Sequence, residues 1–454
     1  MTAVRRAFVA LIEGPAWRGA ALFAAVFLAT ALPRLSQPGE YVFDEVYQAF
    51  TAGRYATGDR DAFSGVVPYG GGCRLCAYEW VHPPLGKLVH AASIRALGDG
   101  PIGWRLPGAL AGAGLVALTY VVARRVVRVR GAADLAAFAL CCDGLLLVMS
   151  RTAMSDVFVA LFVLATYGAF GRWLDLRAGE PHSPDGPRRA RRQLYLVGAL
   201  AGLAIATKWF GLLAWGWIGL WVGGDAIAGR SRSLRRAAHV GAAMIALPAG
   251  IYLASYVPFF AHGYGARDFV ELVLQQARYH ANLTAQHDYA SPWWSWPLAL
   301  RPVWMWTSTA GGVHRDIYAV GNPVVWWTGL LALLGLARLC LMRRAHGRGD
   351  GHAAVVLLLG FFGQWLPWAL PRRPAFIYYM LSALPFAAMA AAWAVAGAAR
   401  RLALAGRRRV LSAALPLGYA AMLAALAVWL YPLWTGLPLN SAGRSVRLLL
   451  PGWK

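Results

Sequence analysis

Phe43-Asp44-Glu45, a polar Gly-rich run and then His82-Pro83-Pro84-Leu85-Gly86-Lys87 fill the space between two long apolar segments, and that placement decides how the chain is read. A polar stretch bounded by apolar runs is a water-facing loop of a membrane protein. It carries two adjacent carboxylates just past a membrane helix, where an acid pair is a candidate for chemistry. Pro83-Pro84 forces an extended backbone and then permits a helix start, which aims the flanking His82 and Lys87.

The rest of the chain supports a membrane setting. Of its 454 residues, 59% are hydrophobic and only 14% charged, with 21 Trp. This composition, with a mean hydropathy of +0.48, marks an all-α polytopic membrane protein. The net charge of +24 raises nucleic acid as a partner, but the basic residues fall in short clusters between apolar runs. That distribution follows the positive-inside rule, so the lipid bilayer is the partner and nucleic acid is not.

The hydropathy pattern predicts about eleven transmembrane helices. They cover roughly 17–33, 103–122, 132–149, 154–173, 194–207, 212–224, 237–259, 323–342, 353–370, 376–398 and 410–430. The 194–207 and 212–224 runs fall short of a full span and read equally as one broken pair. Two long external loops, 34–101 and 261–322, divide the chain into an N-terminal half (1–260), the second loop and a C-terminal region (323–454). Arg clusters at Arg5/Arg6, Arg124/Arg125, Arg188/Arg189, Arg235/Arg236, Arg343/Arg344 and Arg400/Arg401 mark one face as cytoplasmic. The N-terminus, read as a retained signal anchor, lies on that face, and the Asp44-Glu45 loop lies outside.

The loop residues point to a transfer reaction. Asp44 reads either as the N-cap of a helix whose first turn holds Glu45 or as a general base on an acceptor hydroxyl. His82, Lys87 and Arg105 supply positive charge at the same level, and a guanidinium grips phosphate oxygens in pairs. Arg105 also reads as a residue snorkelling to lipid headgroups. Asp156, Lys208-Trp209, Tyr279-His280, the Trp-rich 291–297 run, Arg301-Pro302 and Arg372-Arg373 lie on the same face. The Trp cluster suits interfacial anchoring or stacking on a sugar. No His spacing suits a metal, no cofactor is implied, and no nucleotide-binding loop is evident. Cys73-Arg74-Leu75-Cys76 reads as a local disulfide or a reduced pair, and Asp143 is the one acid near the middle of a span.

Together these segments resemble the protein O-mannosyltransferases, integral-membrane glycosyltransferases of the GT-C fold. The resemblance runs in order through Phe43-Asp44-Glu45, His82–Lys87, Trp104-Arg105-Leu106, Lys208–Gly211, Tyr279–Thr284, Ser291–Pro297, Arg301–Val303, Gly321–Pro323, Trp365–Trp368 and Leu384–Phe386. It implies an inverting transfer of mannose from a polyprenyl-phosphate-mannose donor to Ser or Thr hydroxyls of exported polypeptides. The site would face outward from a bacterial cytoplasmic membrane, with the secretion translocon as a partner. Asp44 would be the base, Glu45 its support, and Arg105 the contact to the carrier phosphate. His82, Lys87, Lys208, His280, Arg301 and Arg372 are donor-site candidates on electrostatic grounds. The chain lacks the lumenal insert of eukaryotic members. A lipid-directed GT-C transferase of the aminoarabinose type, a transporter or flippase, and an inactive scaffold remain as alternatives.

Overall fold

The computed structural model describes residues 15–64, 76–129, 131–179, 185–228, 234–345, 351–404 and 409–454. The N-terminal Arg5/Arg6 pair lies outside them, as does Cys73. Each of the eleven apolar segments carries helix. Six helices are long and apolar enough to cross a membrane: Pro101–Val126, Asp156–Gly179, Leu234–Ser255, Pro323–Met342, His352–Ala369 and Val410–Thr435. A seventh candidate is the pair Ala132–Cys141 and Gly144–Ser150, bent by 58°.

The two doubtful runs form separate helices, Gly186–Thr207 and Gly211–Ala228, that pack on each other. The first extends through its Arg-rich opening turns beyond the apolar stretch, which is why hydropathy alone made it look short. Asp156–Gly179 lies inside the bundle, with 72% of its apolar window buried, between Pro101–Val126 and Gly186–Thr207. Val410–Thr435 is equally apolar yet only 11% buried. Such a helix needs an apolar solvent on its open side, which a bilayer provides.

Asp143 sits at the bend. Its Oδ1 accepts from the Leu146 amide at 3.1 Å, capping the short helix that follows. Its Oδ2 accepts from the Asn322 amide at 2.9 Å and from Trp326 Nε1 at 3.0 Å. This fully bonded carboxylate joins two segments of the bundle, so the ion-coupling role that a transporter would need from it has no free group.

The chain departs from an all-helical plan in the second long loop. Val303–Ala310 (β1) and Val313–Ala319 (β2) form an antiparallel hairpin, to which Leu439–Asn440 (β3) adds from the C-terminal segment. Gly311 and Gly312 turn the hairpin with φ of +56° and +75°, which residues with a side chain rarely adopt. The Trp304-Met305-Trp306 alternation suits a half-buried strand, and Trp306 Nε1 reaches the Glu40 carboxylate at 2.6 Å. The hairpin is thereby tied to the acidic first loop.

Candidate active site

The two acids that open the first loop have different surroundings. Glu45 begins the helix Glu45–Thr57 and is completely buried. Its Oε1 accepts from Arg105 Nε at 2.9 Å and the Ala153 amide at 2.8 Å; its Oε2 accepts from Arg105 Nη2 at 2.7 Å and the Val42 amide at 2.8 Å. Arg105 also donates to the carbonyls of Leu35, Pro38 and Glu40. All five of its N–H groups are committed, and it is only 1% exposed. The expected contact from Arg105 to a carrier phosphate is therefore corrected: no donor is left, and its work is to hold Glu45 and the start of the loop.

Asp44 precedes the same helix, but its carboxylate does not cap it. Its backbone carbonyl accepts from Tyr47 and Gln48, while no described residue donates to the side chain. Phe43 just before it has φ of +50°, a costly conformation for a bulky side chain. Its ring is held edge-on by Phe376, Tyr378 and His287 from two other segments. Burial pushes the Asp44 carboxyl up to about 7; Lys208 opposes this, and the nearby carboxylates of Asp156 and Glu79 add to it. A half-buried, uncommitted carboxyl tuned near neutrality suits a base.

Lys208 ends the helix Gly186–Thr207, and its Nζ bonds both oxygens of Asp156 at 2.9 and 3.1 Å. Its ammonium lies over the rings of Phe210 and Tyr379, at 4.8 and 5.6 Å from their centroids. Lys87 is equally buried and pairs with Glu79, a residue not singled out in the sequence. It also donates to the carbonyls of Glu79 and His82, so its three protons pin the 79–82 segment rather than face a ligand. The helix Leu85–Leu97 begins directly after Pro84. Gly86 is required there because a Cβ would collide with Ser155.

His82 and His280 stack with centroids 5.2 Å apart. His280 Nε2 donates to the Val81 carbonyl at 2.9 Å, and its Nδ1 accepts from Arg373. Burial lowers His82 well below its ordinary range, and Lys208, His280, Lys87 and Arg373 push the same way. Burial and then Arg373 lower His280 to about 4. Both rings are neutral at neutral pH, which corrects their expected role as cations. His82 Nδ1 is buried with no partner among the described residues, so it is free to bond a ligand.

The cation in this cleft is Arg373. Arg372 is exposed beside it, and Arg301 is exposed with a bond to the Asp288 carbonyl. The cleft has a volume of about 220 Å³; Trp209, Phe210, Leu213 and Trp368 form its apolar walls, and His82, His280 and Arg373 its polar end. Arg373 Nη2 donates to Tyr379 at 3.4 Å, and Tyr379 also lies within electrostatic reach of Asp156 and Asp44. The free acid and the cationic end of the cleft thus both act electrostatically on one tyrosine.

Comparison with known proteins gives the family. Residues 21–264 match the family described as dolichyl-phosphate-mannose-protein mannosyltransferase, and residues 266–453 match the C-terminal four-transmembrane region of protein-O-mannosyltransferase. The chain belongs to the protein O-mannosyltransferase family. It is a glycosyltransferase. A relative in this family, the polyprenol-phosphate-mannose–protein mannosyltransferase of Mycobacterium tuberculosis, is 31% identical over 82% of this chain and 81% of its own length. The Corynebacterium glutamicum enzyme of the same name is 26% identical over 82% and 80%. Among solved structures, the Saccharomyces cerevisiae protein O-mannosyltransferase Pmt1-Pmt2 complex bound to the sugar donor superposes with a TM-score of 0.74 at 16% identity, covering 99% of this chain and 94% of that one. ArnT from Cupriavidus metallidurans bound to undecaprenyl phosphate gives 0.53 at 17% identity, over 94% and 76%. Both likenesses place the mannosyltransferase in the GT-C fold.

Proposed function

We propose that this mannosyltransferase moves mannose from polyprenyl-phosphate-mannose to Ser or Thr hydroxyls of exported proteins, with Asp44 as the general base. The observation that carries this reading is the Asp44 carboxyl: uncommitted, half-buried, held near neutrality and acting on the same tyrosine, Tyr379, as the cleft cation Arg373. Its family supplies the donor and the class of acceptor. The prenyl chain would lie along the Trp209 and Trp368 wall, with the phosphate toward Arg373 and the mannose toward His82 and Asp44.

Asp44 accepts the hydroxyl proton as the acceptor oxygen attacks the anomeric carbon from the face opposite the phosphate. The bond from that carbon to the phosphate oxygen breaks, and its electrons leave with the carrier phosphate. One base suffices because a phosphate leaves without protonation, unlike a sugar hydroxyl in a two-carboxylate hydrolase. Arg373 stabilises the charge that develops on the leaving group. In this reading eleven spans place the N-terminus in the cytoplasm and the Asp44 site on the outer face of a bacterial cytoplasmic membrane, where the translocon delivers unfolded acceptor.

Asp44→Asn tests the assignment. Transfer of mannose to a Thr-containing peptide should fall by about 10² to 10⁴-fold, the usual contribution of a positioned base, with donor binding retained. Wild-type turnover in this variant would remove Asp44 from the role.

A further inference from the structure

A second charged cavity lies at the other end of the bundle. Arg177 is on the same helix as Asp156 but about 32 Å further along at 1.5 Å per residue, roughly one hydrocarbon thickness from the transferase site. Around it converge the end of Gly211–Ala228 and the beginnings of Gly186–Thr207 and Leu234–Gly241. They border an open cleft of about 420 Å³.

Its polar lining is unbalanced. Arg177, Arg191, Arg235 and Arg236 face a single carboxylate, Asp225. Arg177 Nη2 and Arg236 Nη2 both bond Asp225 Oδ2, at 3.0 and 2.9 Å. Arg191 instead turns to His239 Nε2 at 3.5 Å, and His239 Nδ1 meets the Tyr195 hydroxyl at 3.2 Å. Arg235 has no ion pair among the described residues. Asp225 thus offsets two of the four guanidinia, and the half-buried Arg191 and exposed Arg235 add positive charge with no carboxylate partner among the described residues, which an anion would offset.

Ordinary anchoring arginines snorkel outward separately. These line one open cleft whose remaining wall is apolar, including Trp173, Leu194 and Val222. The helix that carries Arg235, Arg236 and His239 continues into a π-helical segment, Ala242–Ala246, where the Met244 carbonyl accepts from Trp215 Nε1. Such segments recur at functional sites, and this one fixes the helix beside the cavity. Guanidinium forks match phosphate oxygens, and an apolar wall matches a hydrocarbon chain.

We propose that this cavity binds the phosphate head group of an anionic membrane lipid, in the leaflet opposite the Asp44 site. The proposal is independent of the transfer mechanism. Its test uses the full chain in a neutral detergent, with melting temperature read as an anionic phospholipid, a zwitterionic phospholipid or inorganic phosphate is titrated in. The anionic lipid alone should raise the melting temperature. The double variant Arg191→Gln/Arg235→Gln should lose at least about tenfold in apparent lipid affinity, since a hydrogen bond to a charged group contributes about 1.5–3 kcal/mol. Arg188→Gln/Arg192→Gln, which removes two exposed charges from the same helix, should leave that affinity unchanged. Each variant's melting temperature without lipid serves as its own baseline. Equal losses in both double variants would mean a nonspecific charged surface and overturn the proposal. An equal stabilisation by inorganic phosphate would overturn the lipid as ligand.

Discussion

Asp44 and Glu45 are neighbours in sequence, and the regions around them show what separates a structural acid from the proposed base. The Glu45 region is closed: two carboxylate oxygens receive four hydrogen bonds, and the Arg105 guanidinium has every proton committed. The Asp44 region is open. Its carboxylate receives no hydrogen bond from a described residue, and the charges that act on it are those of Lys208, Asp156 and Glu79. Burial alone therefore does not predict the role. Burial with a complete set of donors makes an acid part of the frame, whereas burial without them leaves it able to exchange a proton.

The largest expected effect breaks the closed region. Glu45→Gln leaves the Arg105 charge buried without its counter-ion, and removing one partner of such a pair costs about 3–5 kcal/mol. Its melting temperature should fall sharply, and activity should be lost with the folded protein. Asp44→Asn should do the reverse, abolishing transfer without loss of fold. Because the folded protein holds the Asp44 proton more tightly than the unfolded chain, this group's contribution to stability is complete below the ordinary carboxyl range and is lost as pH rises through about 7. Asp44→Asn should therefore gain stability over wild type as pH is raised across that window, then keep a constant lead above it. Melting curves at several pH values would show this, and a variant less stable than wild type at pH 8 would mean that Asp44 belongs to the frame.

A smaller effect distinguishes the two adjacent arginines of the second face. Arg373→Gln removes a charged donor from the cleft and should raise the donor KM about tenfold or more, on the scale of one charge-assisted hydrogen bond. Arg372→Gln should leave it unchanged, because Arg372 is exposed. Equal effects from the two would place the phosphate outside the cleft.

How much of this was legible in the sequence follows from the range of the interactions involved. The loop's position past a span marked Asp44 and Glu45 together, and the apolar runs marked the helices. The division of labour between the two acids depends on Arg105, which is distant in sequence and turns inward only once the helix Pro101–Val126 is packed. Glu79 lacked any motif of its own and gains meaning only through Lys87. Whether Arg372 or Arg373 enters the cleft is a matter of backbone direction after Pro371. The charges expected on His82 and His280 vanish because neighbouring cations and burial oppose them, neither of which is visible in a linear reading. The hairpin did carry a signal, aromatic and β-branched alternation ending at Gly311-Gly312, inside a stretch read only as a long external loop.

The finest test of the comparison concerns the charges that tune Asp44. Transfer should rise with pH as Asp44 loses its proton, with a midpoint near 7 in the free enzyme. Lys208 lowers that midpoint, whereas Asp156 raises it. Lys208→Met removes the lowering charge and leaves Asp156 unpaired, so the rising limb of kcat/KM should move to higher pH, by about one unit for an opposite charge lost at close range. Adding Asp156→Asn removes the opposing charge as well and should bring the limb back toward its wild-type position, even though the second variant carries the greater change in sequence. Loss of the Lys208–Asp156 pair as a structural unit would instead lower the rate at every pH without moving the midpoint. A limb that stays fixed in both variants would show that the titrating group is not Asp44, and the open region would lose its claim to the chemistry.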